Sequence, residues 1–138
     1  MVSIKEVGEF CKTTSGGVPQ VKHVVGRLME EAVELALASG LTAGEISGHI
    51  ADALHNQSLK TSSKIGRTIF PSELVAPLRA EEEIAEECAD VQLILKHVAY
   101  VAKVNLQEEE KKKWAKFITL DFKVSRKGLL YAKKPHIK

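Results

Sequence analysis

The chain has 138 residues, 44% of them hydrophobic and 28% charged, with a formal net charge of +2. Those values suit one globular domain over residues 1–138 and argue against disorder, while so small a net charge gives no sign of a nucleic-acid partner. Aromatic residues make up only 5%, whereas Ala, Leu, Glu and Lys abound, which favours helix over strand.

In chain order, residues 3–12 place Ile4, Val7, Phe10 and Cys11 at helical spacing, and "TTSGGVPQ" breaks that short helix. Pro19 suits a first helical turn, and a long helix is predicted from about Pro19 to Ala38, stopped by Ser39-Gly40. Thr42 and Glu45 form a capping-box pattern for a further helix with an apolar stripe of Ile46, Ile50, Ala53 and Leu54. That helix is predicted to fade near Ser58, leaving "KTSSKIGRTIFPS" as a loop, either a lid or a connection. Pro77 can open a third long helix reaching about Val104, with Ile84, Cys88, Val91, Leu95 and Val98 as its core stripe. Asn105 and Glu108 repeat the capping logic for a helix to about Leu120. The basic tail, 121–138, carries two short strand-like runs around Arg126-Lys127-Gly128, read as a small hairpin. The expected fold is therefore an all-α helical bundle with a small C-terminal β-hairpin.

Two of these helices carry acidic pairs, Glu31-x-x-Glu34 and Glu87-x-x-Asp90. At that spacing, side chains point the same way with Cβ atoms roughly 5–6 Å apart, so like charges repel unless cations bind between them. Glu31 and Glu34 share a stripe with Leu35, Ala38 and Leu41. Glu83, Glu87 and Asp90 continue into Ile94, His97 and Val101 at the seam period of packed helices. One such pair alone usually marks a solvated face. Two pairs, both set on apolar stripes, point equally to a metal cradle. Four facing carboxylates would select a hard cation, Mg²⁺ or Mn²⁺, and Mg²⁺ favours a phosphate partner. The implied substrate is a nucleotide or other polyphosphate, with a metal-bound water as nucleophile.

"EEAVEL" followed by "EECADVQLIL" resembles the MazG-like all-α nucleoside triphosphate pyrophosphohydrolases, whose hallmark is E-x-x-E on one helix and E-x-x-D on a later one. The preceding "RLM", the apolar run after Asp90 and the N-terminal "EF…GGVP" spacing are similar too, the last to phage-type members. The resemblance covers about residues 6–120, with specific motifs in two short stretches. It implies Mg²⁺-dependent cleavage of a (deoxy)nucleoside triphosphate between its α and β phosphates, giving monophosphate and pyrophosphate. It also implies metal ligation by Glu31, Glu34, Glu87 and Asp90, a homodimer or homotetramer, and a lean towards a purine such as dGTP or GTP. Glu30 or another nearby glutamate would orient or deprotonate the attacking water.

Many relatives continue with K-x-x-x-N-x-x-R. The corresponding positions here are Lys113, Phe117 and Leu120, so only the lysine remains. Lys113 and Lys116 are candidate phosphate contacts. Arg27 is a candidate for phosphate or for pairing with the acidic cluster, and Lys96 for either role. His97 and Trp114 read first as core or interface residues, with phosphate contact and base stacking as the alternatives. His55 and Asn56 close the second long helix in this reading, and the lysine run 111–113 answers Glu108–Glu110 on a solvated face.

Cys11 and Cys88 are too few and too far apart for a disulfide framework or a zinc signature, and read as reduced small hydrophobes. Lys5, Glu6 and Glu9 interrupt any apolar leader, and no stretch is long enough to span a bilayer. A cytoplasmic enzyme of a bacterium or a phage-infected host is expected, with no membrane partner. Two alternatives stand beside it: a phosphoribosyl-ATP pyrophosphatase, and a helical regulator that binds nucleotide without turnover.

Overall fold

The computed structural model describes residues 2–75 and 80–133. Its elements are α1 (Ile4–Ser15), α2 (Val21–Ala38), α3 (Ala43–Ile65), a single 3-10 turn (Pro71–Glu73), α4 (Ala80–Ala102), α5 (Leu106–Phe117), β1 (Phe122–Val124) and β2 (Leu130–Ala132). The fold is all-α with a small antiparallel hairpin, in which Lys123 stands opposite Tyr131. Among the described residues no helix is long and apolar enough to cross a membrane.

Local chemistry explains where most helices begin and end. Ser3 caps α1, its hydroxyl accepting from the Glu6 amide at 3.0 Å while the Glu6 carboxylate accepts from the Ser3 amide. The same reciprocal box opens α3 at Thr42 and Glu45. Asn105 opens α5 by accepting from the Glu108 amide at 3.2 Å. At the end of α2, the Leu41 amide donates to the Ala36 carbonyl and that of Gly40 to Leu37, which closes the last turn around a left-handed glycine.

Several boundaries differ from the sequence expectation. The first helix continues through Thr13, Thr14 and Ser15, because the left-handed Gly16 and not the threonines ends it. The third does not fade near Ser58 but runs on to Ile65, so His55 and Asn56 lie in its interior. Ser58 and Ser62 turn their hydroxyls back onto the carbonyls of His55 and Ser58, at 2.8 and 2.7 Å, instead of competing with the helix. The connection therefore starts at Gly66. Ser62 pins it by accepting from the Ile69 amide at 2.8 Å, and Ile69 is buried. The last helix, α5, ends at Phe117 and not near Leu120. Pro77 lies outside the described residues.

The chain divides into two compact units, Met1–Gly26 with Ala85–Lys138, and Arg27–Ile84. The first unit is organised by an aromatic cluster. Phe117 stands 4.8 Å from Phe122 and 5.6 Å from both Phe10 and Trp114, centroid to centroid. Trp114 thus fills a gap between helices, and the Val2 amide donates to the Glu110 carboxylate beside it. In the second unit the 3-10 turn lies against α3, with Arg67 paired to Glu73 at 3.6 Å.

The core stripe expected on α4 is largely uncovered. Ile84, Val91, Leu95 and Val98 each expose more than a third of their surface and Cys88 is exposed, while Ala99 on the same helix is buried.

Candidate functional site

Glu30, Glu31 and Glu34 lie on α2, in its part within the second unit, and all three are exposed. At 100° per residue they fall within roughly one 100° sector of the helix, and Arg27 falls in the same sector. Arg27 holds two of them, with Nη1 3.0 Å from Glu30 Oε2 and Nη2 2.7 Å from Glu31 Oε1. Of the two roles open to Arg27, pairing with the acidic cluster is therefore the one seen. Glu34 has no ion pair or hydrogen bond among the described residues.

Position does nothing to offset the charge of this pair. Glu31 and Glu34 stand in the C-terminal half of an 18-residue helix whose last turn contains no basic residue. Both lie outside the terminal turns in which the helix dipole acts, so it gives these carboxylates no support.

Glu87 and Asp90 share one turn of α4 in the first unit. The helix opens with Glu81, Glu82 and Glu83, which its N-terminal dipole favours. Glu87 and Asp90 lie beyond that first turn, where the dipole gives no such reason. Both are exposed, and neither has an ion pair or hydrogen bond among the described residues. Their sector coincides with that of Ile94 and Val101, so the acidic face and the apolar face of α4 are one face.

The cationic candidates are distributed unevenly around this motif. Lys96 lies about 180° around α4 from Glu87 and about 120° from Asp90, so the helix turns it away from them. His97 falls within about 20° of Asp90 on the same face. Lys113 and Lys116 project one turn apart on α5, together with Lys112, which pairs with Glu109 at 3.5 Å. Lys113 also borders an apolar hollow beside Val7 and Trp114. Phe117, at the position where relatives of the resembled family place Asn, is committed to the aromatic cluster.

The donor set suits a hard divalent cation in kind: each pair offers two carboxylates on adjacent turns of one helix. Among the described residues, no three His, Cys, Asp or Glu side chains gather into a metal-binding group. No protein-family model, no curated protein and no solved structure matches the chain.

Proposed function

We propose that the protein is a Mg²⁺-dependent nucleoside triphosphate pyrophosphohydrolase, cleaving a purine (deoxy)nucleoside triphosphate such as dGTP or GTP to monophosphate and pyrophosphate. One observation carries the reading. Glu34, Glu87 and Asp90 are carboxylates without described partners, set on two helices where neither dipole nor ion pairing offsets their charge. Such an arrangement is paid for by a cation that arrives with the substrate.

In this reading Glu31, Glu34, Glu87 and Asp90 hold Mg²⁺ or Mn²⁺. When bound, the metal offsets the charge of the triphosphate. Glu30 accepts the proton of the attacking water once Arg27 swings from it towards phosphate. Lys113 and Lys116 draw the polyphosphate by charge. Lys96 keeps its place in the proposal only as a contact from another copy, given the face it occupies.

The same reading includes a homodimer or homotetramer in a bacterial or phage-infected cytosol. Seven apolar side chains of α4 between Val91 and Val101 are 37–82% exposed. They sweep about 220° of the helix, far more than the ~100° stripe that one packing contact covers. A helix apolar over that arc needs neighbours on more than one side, and further copies of this chain supply them in this reading.

A panel of triphosphates with Mg²⁺ tests the activity: release of pyrophosphate from dGTP but not from phosphoribosyl-ATP supports it, and the reverse favours the histidine-pathway type of enzyme. The non-catalytic reading draws on Phe117 and Leu120, which replace the polar residues of the resembled motif. It predicts nucleotide binding with no pyrophosphate release.

A further inference from the structure

The sequence places Arg126 and Lys127 at the turn of a small hairpin in the basic tail, and the fold adds what that turn packs against. They occupy the two central positions of the β1–β2 turn. The Gly128 amide donates to the Ser125 carbonyl at 3.0 Å, and the Leu129 amide to the Ser125 hydroxyl at 3.1 Å. Gly128 has φ 79°, and a Cβ there would stand 3.6 Å from the Cβ of Pro19, so the turn rests directly on the segment leading into α2. The result is a hollow of about 330 Å³ within the first unit, between the turn and the Gly16-Gly17 loop.

Its lining is electrostatically one-sided. Arg126, Lys127 and His23 border it, and among the described residues no carboxylate does. Neither Arg126 nor Lys127 forms an ion pair among the described residues. Gly16 and Gly17 leave the opposite wall without side chains, and a Cβ at either would meet nothing within 4 Å, so a ligand can approach the backbone. The first turn of α2 starts at the same wall and carries no acidic residue. Its free amides add to the positive potential.

From the cavity and its uncompensated cations we infer that this hollow binds a phosphate group of a small phosphorylated ligand. Arg126 supplies the forked donor suited to phosphate oxygens, and Lys127 a mobile point charge. The group belongs either to free pyrophosphate or to the terminal phosphates of a nucleotide. The inference does not rest on the acidic carboxylates, so it can be tested with divalent metal removed.

The test is calorimetric titration of the full chain with sodium pyrophosphate in EDTA, repeated with a non-hydrolysable nucleoside triphosphate analogue. Saturable binding is expected, weakened at least about tenfold in Arg126→Ala/Lys127→Ala and within about twofold of the parent in Lys123→Ala, which removes a β1 cation outside the hollow. Amide resonances of Gly17, Val21 and Lys22 should move with pyrophosphate. Binding of pyrophosphate alone identifies the inorganic source, and mutual competition the nucleotide. No saturable binding by either ligand, full affinity in the double variant, or equal loss in Lys123→Ala would overturn the site.

Discussion

Arg27 Nη2 lies 2.7 Å from Glu31 Oε1, while Nη1 of the same guanidinium lies 3.0 Å from Glu30 Oε2. One cation is thus shared by the two adjacent glutamates, and Glu31 is one of the four carboxylates on which the proposed chemistry depends. A guanidinium at that position is a counter-ion that a metal must displace or share. Arg27→Gln should therefore raise the affinity of the nucleotide-free protein for Mn²⁺ about twofold to threefold, the equivalent of a surface pair of ~0.5 kcal/mol. An electron paramagnetic resonance titration of free Mn²⁺ measures it. Unchanged affinity would remove Arg27 from the site.

Phe117 touches Phe10, Trp114 and Phe122, so its replacement of a polar family residue has a structural reason. Phe117→Ala should destabilise the first unit by about 2–3 kcal/mol, less than a fully buried Phe because the ring is half-exposed. Phe117→Asn should cost at least as much and gain no activity. Urea unfolding followed by Trp114 fluorescence reads the change directly, and a loss below about 0.5 kcal/mol would mean that the cluster does not organise the unit.

The Thr42 cap governs the acid response of α3. Hydrogen bonding from the Thr42 backbone first, and its hydroxyl second, holds the Glu45 carboxyl below its ordinary value of 4.5, with His49 nearby adding to the effect. A lowered carboxyl stabilises the fold above that ordinary value and loses its contribution as pH falls through the folded one. The protection of amides in the first turn of α3, relative to their intrinsic exchange, should therefore fall as pH drops below 4.5. Thr42→Ala should cost about 1 kcal/mol and return Glu45 towards its ordinary titration, seen by carboxyl NMR.

The two thiols should differ sharply. Cys88 is exposed on α4, whereas Cys11 is half-buried, and desolvation pushes its thiol up from the ordinary value. A thiol raised in this way holds less reactive thiolate at neutral pH. One equivalent of a maleimide at pH 7 should label Cys88 first, with Cys11 slower by an order of magnitude or so, as peptide mass spectrometry would show. If copies of the chain cover α4, Cys88 labelling should slow as protein concentration rises.

Much of this architecture could be read from residues that act locally. Thr42 with Glu45, Asn105 with Glu108, and the Ser39-Gly40 stop announce helix ends because their partners lie within a few positions. The extension of α3 past Ser58 was hidden because Ser58 and Ser62 count as breakers in composition yet bond back to their own helix. The α4 stripe was legible as apolar, but period alone cannot say what covers it, and Val91, Leu95 and Val98 stand exposed. For the acidic pairs, spacing placed Glu31 with Glu34 and Glu87 with Asp90 on common turns. It also offered Arg27, four residues before Glu31, as a partner of the acidic cluster, and of its two candidate roles that pairing is the one seen. The hairpin around Arg126-Lys127-Gly128 was legible too, but its cavity was not, since only the packing of Gly128 on Pro19 gives Arg126 and Lys127 a hollow to face.

The most direct measurement follows dGTP by ³¹P NMR with the parent protein and with Glu34→Gln and Asp90→Asn. Both side chains are exposed and lack described partners, so circular dichroism should be unchanged in the variants. A Mg²⁺-dependent pyrophosphohydrolase gives dGMP and pyrophosphate from the parent with Mg²⁺, no turnover in EDTA, and a loss of at least ~100-fold in either variant. Appearance of dGDP and inorganic phosphate, or full activity in either variant, would contradict it.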